Sequence, residues 1–394
     1  MSNIDRHLGY LDPLKVREEK RQLRTLIPVT VNQSNSRAIL EIEGKPFLNF
    51  CSNDYLGLAG HPSMIQQSVR YTRKYGTGSS ASRLISGSLD IHHRAEEKIA
   101  STCGREAALF FSTGFQANAT LLPALTDRND LILADKNCHN SLIQGGSLSR
   151  APFRRFRHND TAHLESLLEK ARKKNKDTSG RTWVVTESLF SMDGDFAPLE
   201  KMIGICKKYN ALFYVDDAHA FGVLGEKGMG LAWGKPEIDL VVGTLGKAAG
   251  GFGAFVLTSQ TIYNYLVNYC SGFIYSTSPP PGVIGSAEAA MELIPQMEDE
   301  RNYLLKSVSY TVDALEQAGF KTGGSRSHII PVILNDERTA LAYAEELYKN
   351  HIFVQAVRPP TVQKSRLRIT LTSAHTENHL NKLINALKDV KHRN

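Results

Sequence analysis

The sequence predicts an α/β fold: a large domain built on a mostly parallel sheet covered by helices, followed by a small C-terminal α+β domain. Three observations predict it. Short apolar runs rich in β-branched or aromatic residues recur at 107–111, 131–134, 183–185, 212–215, 240–242 and 254–257, the pattern of strands buried on both faces. Stretches with helical spacing alternate with them, at 115–125, 140–148, 163–173 and 198–209, the last with Pro198 in its first turn. Such alternation implies parallel strands joined by crossover helices. After Pro279-Pro280-Pro281 the rhythm changes: helices at 283–297 and 302–317 precede strand-like 329–334, 353–357 and 366–371, interleaved with helix-like 339–350 and 376–390.

Ahead of the sheet, residues 12–26 read as a charged amphipathic helix, and 38–50 as two short extended segments around a Gly44-Lys45 turn. The expected division is therefore an N-terminal arm at 1–47, a large domain at 48–285 and a small domain at 286–394. The basic run 170–176 reads as a solvated helix end.

The 394 residues are 41% hydrophobic and 22% charged, enough for a sizeable core. A formal charge of +7 favours anionic small molecules over a nucleic-acid surface, for which no clustered basic and aromatic face is found. The five cysteines are scattered, odd in number and without a C-x-x-C pair, so neither a disulfide framework nor a metal site is indicated, and a reducing cytoplasm is expected. No run approaches the roughly 18 apolar residues of a membrane helix, and the first 24 residues lack an apolar signal core.

Ligands of parallel α/β sheets gather at the carboxyl ends of strands, so the residues after each apolar run carry the chemistry. Four ends are polar. Ser112-Thr113-Gly114-Phe115 opens a helix whose free N–H groups suit a phosphate, or forms a plain turn. Asp216, in Val215-Asp216-Asp217-Ala218-His219, is either a buried carboxylate needing a cation or proton donor, or a helix cap. Thr244-Leu245-Gly246-Lys247 offers a hydroxyl and a lysine in a glycine-lined turn, either a desolvated amine able to form a Schiff base or, as with most lysines in turns, a merely solvated one. The fourth end is Thr186-Glu187-Ser188, followed by Phe190-Ser191-Met192-Asp193-Gly194. A phosphate cradle, an acid for a pyridinium nitrogen and an imine lysine together are what pyridoxal phosphate requires. No Walker A loop and no G-x-G-x-x-G opening a helix after the first strand point to a nucleotide instead.

These segments, with Asn49-Phe50-Cys51-Ser52-Asn53-Asp54-Tyr55-Leu56-Gly57-Leu58, Gly76-Thr77-Gly78-Ser79, Ser82-Arg83-Leu84-Ile85-Ser86-Gly87 and Ile274-Tyr275-Ser276-Thr277-Ser278, resemble the α-oxoamine synthases among the fold-type I pyridoxal-phosphate enzymes. The resemblance runs from about Leu23 to Ala374. It implies that Lys247 carries the cofactor and acts as base, that Asp216 partners the pyridine nitrogen, that His219 meets the phenolic oxygen and that His139 stacks on the ring. It further implies backbone donors at Gly114 and Phe115, hydroxyls at Ser188 and Thr244, and Ser276 with Thr277 reaching the phosphate of the neighbouring subunit in a homodimer. Arg368 and Asn53 are implied for the amino-acid carboxylate, and Thr361 with Arg24 for the acyl substrate, although a solvated helix face is the plainer account of Arg24. The segment from Val357 to Val362, followed by Arg366-Leu367-Arg368, is most similar to the branch that condenses L-alanine with a pimeloyl thioester of coenzyme A or a carrier protein. The other branch weighed takes glycine and an acetyl thioester. A non-catalytic protein on this fold would not need Lys247, Asp216, His139 and Arg368 together. The chain departs from the branch at Ala220, where glycine is common, and in the short spacer Gln363-Lys364-Ser365.

Overall fold

A computed structural model describes residues 5–20, 22–31, 37–174 and 180–393. Seven strands form the central sheet: β1 (Ala107–Phe111), β2 (Leu131–Asp135), β3 (Phe153–Phe156), β4 (Thr182–Glu187), β5 (Leu212–Asp216), β6 (Leu240–Thr244) and β7 (Ala254–Thr258). Their order is β1-β7-β6-β5-β4-β2-β3. Only β7 runs antiparallel to its neighbours, so β2, β4, β5 and β6 present their carboxyl ends on one edge. The six expected apolar runs are all strands here, and every residue of β1, β6 and β7 is buried. β3 was not expected. As an edge strand it leaves Arg154 and Arg155 exposed and lacks an apolar signal.

The helices Gly114–Leu125, Asn140–Leu148, Thr161–Lys174 and Leu199–Tyr209 follow their strands as expected, with Pro198 serving as N-cap of the last. Of the basic run 170–176, residues 175 and 176 lie outside the described residues. Helices Pro62–Tyr75 and Asp90–Thr102 pack against Pro281–Leu293, which is followed by Glu298–Gln317.

Two expectations for the arm and the C-terminal part need correction. The N-terminal helix spans only Leu11–Glu19 and buries nothing, because its apolar residues Leu11, Leu14 and Val16 meet no core in this chain. The hairpin of Ile39–Ile42 and Lys45–Asn49 turns at Glu43 and Gly44, both at positive φ (50° and 74°), as a two-residue primed turn requires. The run expected as one strand at 353–357 serves two sheets. Ile352–Phe353 adds in parallel to this hairpin, whereas Gln355–Val357 pairs antiparallel with Arg366–Thr370 beside Ile329–Ile333. The central sheet's carboxyl edge, the hairpin exit and this three-stranded sheet together enclose the site. All five cysteines are free thiols, and among the described residues no helix is long and apolar enough to cross a membrane.

Candidate active site

The parallel register of β4 and β5 sets Glu187 directly beside Asp216, so two carboxyl groups end neighbouring strands. Asp216 is 6% exposed. Its oxygens accept from Asn118 Nδ2 at 2.6 Å and from the Ala218 N–H at 3.0 Å, so it caps a turn and also faces a cavity of about 510 Å³. Asn118 is itself fixed, donating to Ser141 Oγ at 2.9 Å and accepting from the Tyr214 hydroxyl at 2.5 Å. Glu187 accepts the His139 N–H at 2.5 Å; burial, then the charge of Asp216, push its carboxyl up to about 8, with Lys247 opposing.

Lys247 enters the same cavity from the turn after β6. Burial pushes its amine down to about 8 against the raising charges of Asp216 and Glu187, and Arg368 lowers it further, so a neutral amine is accessible near neutral pH. His139 caps helix Asn140–Leu148, and its Nδ1 lies 2.7 Å from Ser141 Oγ. His219 is buried, with Nδ1 2.7 Å from the Tyr55 hydroxyl, whose oxygen also lies 3.0 Å from Asn53 Oδ1. Burial first, then the positive charges of Lys247 and Arg368, hold this imidazole well below its ordinary pKa and hence neutral.

Helix Gly114–Leu125 begins at the cavity wall. Thr113 caps it by accepting the Gln116 N–H at 3.0 Å, and Gly114 and Phe115 line the space at its electropositive end. Arg368 comes from the opposite wall. It donates to the Ser191 carbonyl at 2.7 Å and reaches Asn53 Oδ1 at 3.4 Å, and among the described residues it forms no ion pair with a carboxylate.

Of the residues expected from the sequence, Asn53, Gly114, Phe115, His139, Asp216, His219, Thr244, Lys247 and Arg368 therefore meet in one cavity. The others do not. The Ser188 hydroxyl is fully buried and donates to Asp217, away from the cavity. Thr244 lines the space, but its hydroxyl already donates to the Gly253 carbonyl and accepts from the Gly246 N–H. Ser276 and Thr277 sit beyond helix Gly114–Leu125, where Ser276 accepts from Gln116 and donates to the Gly272 carbonyl, while Thr277 is exposed. Arg24 lies on an exposed irregular segment, not on a helix face, and Thr361 is exposed in the turn after Pro359-Pro360. Neither lines the cavity. Asn118, Glu187, Ser141, Ser191 and Met192 line it without having been singled out for it; Glu187, as the last residue of an apolar strand, carried the same signal as Asp216.

The sequence profile of the family described as aminotransferase class I and II matches residues 45–387, and the chain belongs to that family. Its cofactor is pyridoxal phosphate, and the cavity fits that group: a buried carboxylate that forms no ion pair among the described residues, a desolvated lysine and an open helix N-terminus converge there. Within the family, the chain is 42% identical to the 8-amino-7-oxononanoate synthase of Geobacter sulfurreducens, covering 96% of both chains. It is 41% identical to the 8-amino-7-oxononanoate synthase of Geotalea daltonii, covering 91% of both. Among solved structures, a lysine-to-alanine variant of a serine palmitoyltransferase from S. paucimobilis with a bound pyridoxal phosphate–myriocin aldimine superposes with a TM-score of 0.91 at 25% identity, over 100% of this chain and 99% of the other. These similarities set the chain among the α-oxoamine synthases, the acyltransferases of the family.

Proposed function

We propose that this chain condenses L-alanine with a pimeloyl thioester, releasing carbon dioxide and the free thiol and yielding 8-amino-7-oxononanoate for biotin synthesis. The reading is carried by one observation: Lys247 and Asp216 share a cavity with Arg368, a cation that no carboxylate of the described residues neutralises. Similarity to relatives named for this reaction supports it.

Pyridoxal phosphate, when bound, supplies an electron sink for the Cα carbanion of the amino acid and again for the decarboxylation. The chain's residues do the rest. Lys247 holds the cofactor and, as a free amine with its pKa lowered to about 8, takes the Cα proton as general base. Asp216, oriented by Asn118, keeps a proton on the ring nitrogen by its charge. The Gly114 and Phe115 N–H groups would hold the phosphate, His139 would lie against the ring, and neutral His219, with its Nδ1 accepting from the Tyr55 hydroxyl, would be left its Nε2–H to donate to the phenolic oxygen. Arg368, with Asn53 beside it, binds the alanine carboxylate by a charge-assisted pair.

The working unit is proposed to be a homodimer in the cytoplasm, with Ser276 and Thr277 turned to the partner's site; the free thiols and exposed Thr277 support this. Release of thiol from pimeloyl-coenzyme A and from a pimeloyl carrier protein, measured with and without L-alanine, tests the function. Alanine-dependent release from either is the expected result. Better turnover of glycine with an acetyl thioester refutes it.

A further inference from the structure

The segment after β4 folds back on itself. Leu189 bridges Phe196, the Phe190 N–H donates to the Asp195 carbonyl at 3.0 Å, and the Gly194 N–H donates to the Phe190 carbonyl at 2.9 Å. One side of this loop is fastened to the C-terminal sheet. The Ser191 carbonyl accepts from Arg368 Nε at 2.7 Å, the Met192 carbonyl accepts from Arg366 at 3.0 Å, and Asp193 pairs with Arg366 at 2.5 Å. The Gly194 carbonyl accepts from Ser325 and Ser327 at 3.1 and 2.9 Å, and a Cβ at Gly194, whose φ is +65°, would lie 2.0 Å from the Ile329 carbonyl.

The other side is fastened to the central sheet through His158 and its neighbour Asn159, whose N–H donates to Asp135 Oδ2 at 2.8 Å and whose amide donates to Asp195 Oδ2 at 2.9 Å and to the Phe196 carbonyl at 3.1 Å. His158 Nδ1 lies 2.9 Å from Asp135 Oδ1 at the end of β2, and Nε2 lies 2.8 Å from Asp195 Oδ2. Its ring stands edge-on to Phe190, 4.4 Å between centroids. Burial lowers the pKa of this histidine, but the two carboxylates outweigh it and raise it to about 10, so the ring is a cation bridging two anions. Asp195 needs it. Among the described residues its second oxygen is buried without a partner, and the Asn159 amide at 2.9 Å is its other support.

We infer that His158 is a positioning residue for amino-acid binding: by bridging Asp135 and Asp195 it fixes the 189–196 loop, whose Ser191 carbonyl aims Arg368 at the substrate carboxylate. The inference rests on the reading of Arg368 as the carboxylate partner. A general packing role would weaken every step alike. A positioning role weakens the amino acid alone.

The test uses the holoenzyme. L-alanine binding is read from the change in the cofactor's visible absorbance, and KM for both substrates and kcat are measured for His158→Ala and His158→Gln. His158→Ala is expected to raise the alanine Kd and KM about tenfold, a partial loss of Arg368's charge-assisted hold on the carboxylate, with kcat and the thioester KM within about twofold. His158→Gln, which keeps one donor, should fall between, and added imidazole should partly restore His158→Ala. An unchanged alanine Kd in a folded, cofactor-loaded variant overturns the inference, as does an equal loss across kcat and both KM values. If His158→Ala does not fold, Asp195→Asn repeats the test with the same expected and overturning results. A wild-type holoenzyme that binds no L-alanine at all refutes instead the reading of Arg368.

Discussion

Substituting Asn118 by alanine removes three hydrogen bonds at once, from a side chain only 2% exposed. The bond to Asp216 is charge-assisted and worth about 1.5–3 kcal/mol, and the fully buried Tyr214 hydroxyl, left without an acceptor, costs about 1–3 kcal/mol more. The expected destabilisation is on the order of 3–5 kcal/mol, tempered by any water the cavity admits. Asn118→Asp separates shape from charge. It keeps an acceptor for Tyr214 but sets a second carboxylate where a donor now sits 2.6 Å from Asp216, and two carboxylates that close do not both ionise. The shared proton is bound more tightly in the folded chain than in the unfolded one, so the stability of this variant falls as pH rises. Urea unfolding at pH 5 and pH 8, with exchange of the L-alanine Cα proton followed by NMR, reads both effects. Asn118→Asp should approach wild type at pH 5, fall well below it at pH 8, and lose exchange most at the higher pH. A cost below about 1 kcal/mol for Asn118→Ala, or no pH dependence in the stability difference between Asn118→Asp and wild type, would refute the account of how Asp216 is held.

Three further outcomes follow. Lys247→Ala should abolish exchange of the alanine Cα proton, and borohydride reduction of the wild-type holoenzyme followed by peptide mass analysis should find the cofactor on the peptide containing Lys247 and on no other. Glu187, with its carboxyl raised to about 8 chiefly by burial, binds its proton more tightly folded than unfolded. Its contribution is complete below the ordinary carboxyl range and is lost as pH climbs through 8, so Glu187→Gln should flatten the decline of cofactor-free stability between pH 5 and 8. A parallel decline in both proteins contradicts this. L-alanine should be preferred to glycine only moderately, because Arg368 grips a carboxylate common to both and one methyl group is worth about 1–3 kcal/mol, whereas pimeloyl and acetyl thioesters should differ more; steady-state comparison of the four pairs checks both.

The fold was legible where burial is two-sided. β1, β6 and β7 bury every residue, and their runs are apolar throughout, so sequence and strand coincide within a residue or two. β3 shows the limit. Its sequence Phe153-Arg154-Arg155-Phe156 pairs on one side only and leaves both arginines in solvent, so nothing in its composition separates it from a loop. The helices Pro62–Tyr75 and Asp90–Thr102 were missed as well: they precede β1, outside the strand–helix alternation from which the other helices were read. Ile352–Phe353 and Gln355–Val357 failed differently, because a run long enough for one strand does not disclose that it changes sheets.

The site was legible as a set of strand ends, a local property, and illegible wherever a role depends on which distant partner has already used a group. Asn118 and Asp216 are 98 residues apart, and nothing in the helix from Gly114 marks the face that will meet a carboxylate. Ser188 sits at a strand end like Asp216, yet Asp217 consumes its hydroxyl. Two twin pairs make the point most sharply. In Asp216-Asp217 both residues are acidic and buried, but Asp217 is spent on Ser188 and on the Leu231 and Ala232 N–H groups, while Asp216 lines the cavity. In Arg366-Leu367-Arg368 the period of the strand puts both arginines on one face, but Asp193 neutralises Arg366 and leaves Arg368 free for an incoming anion. Spacing and residue type are the same within each pair, so function there is decided by the charge left over after folding, a quantity fixed by tertiary partners and therefore readable only from the structure.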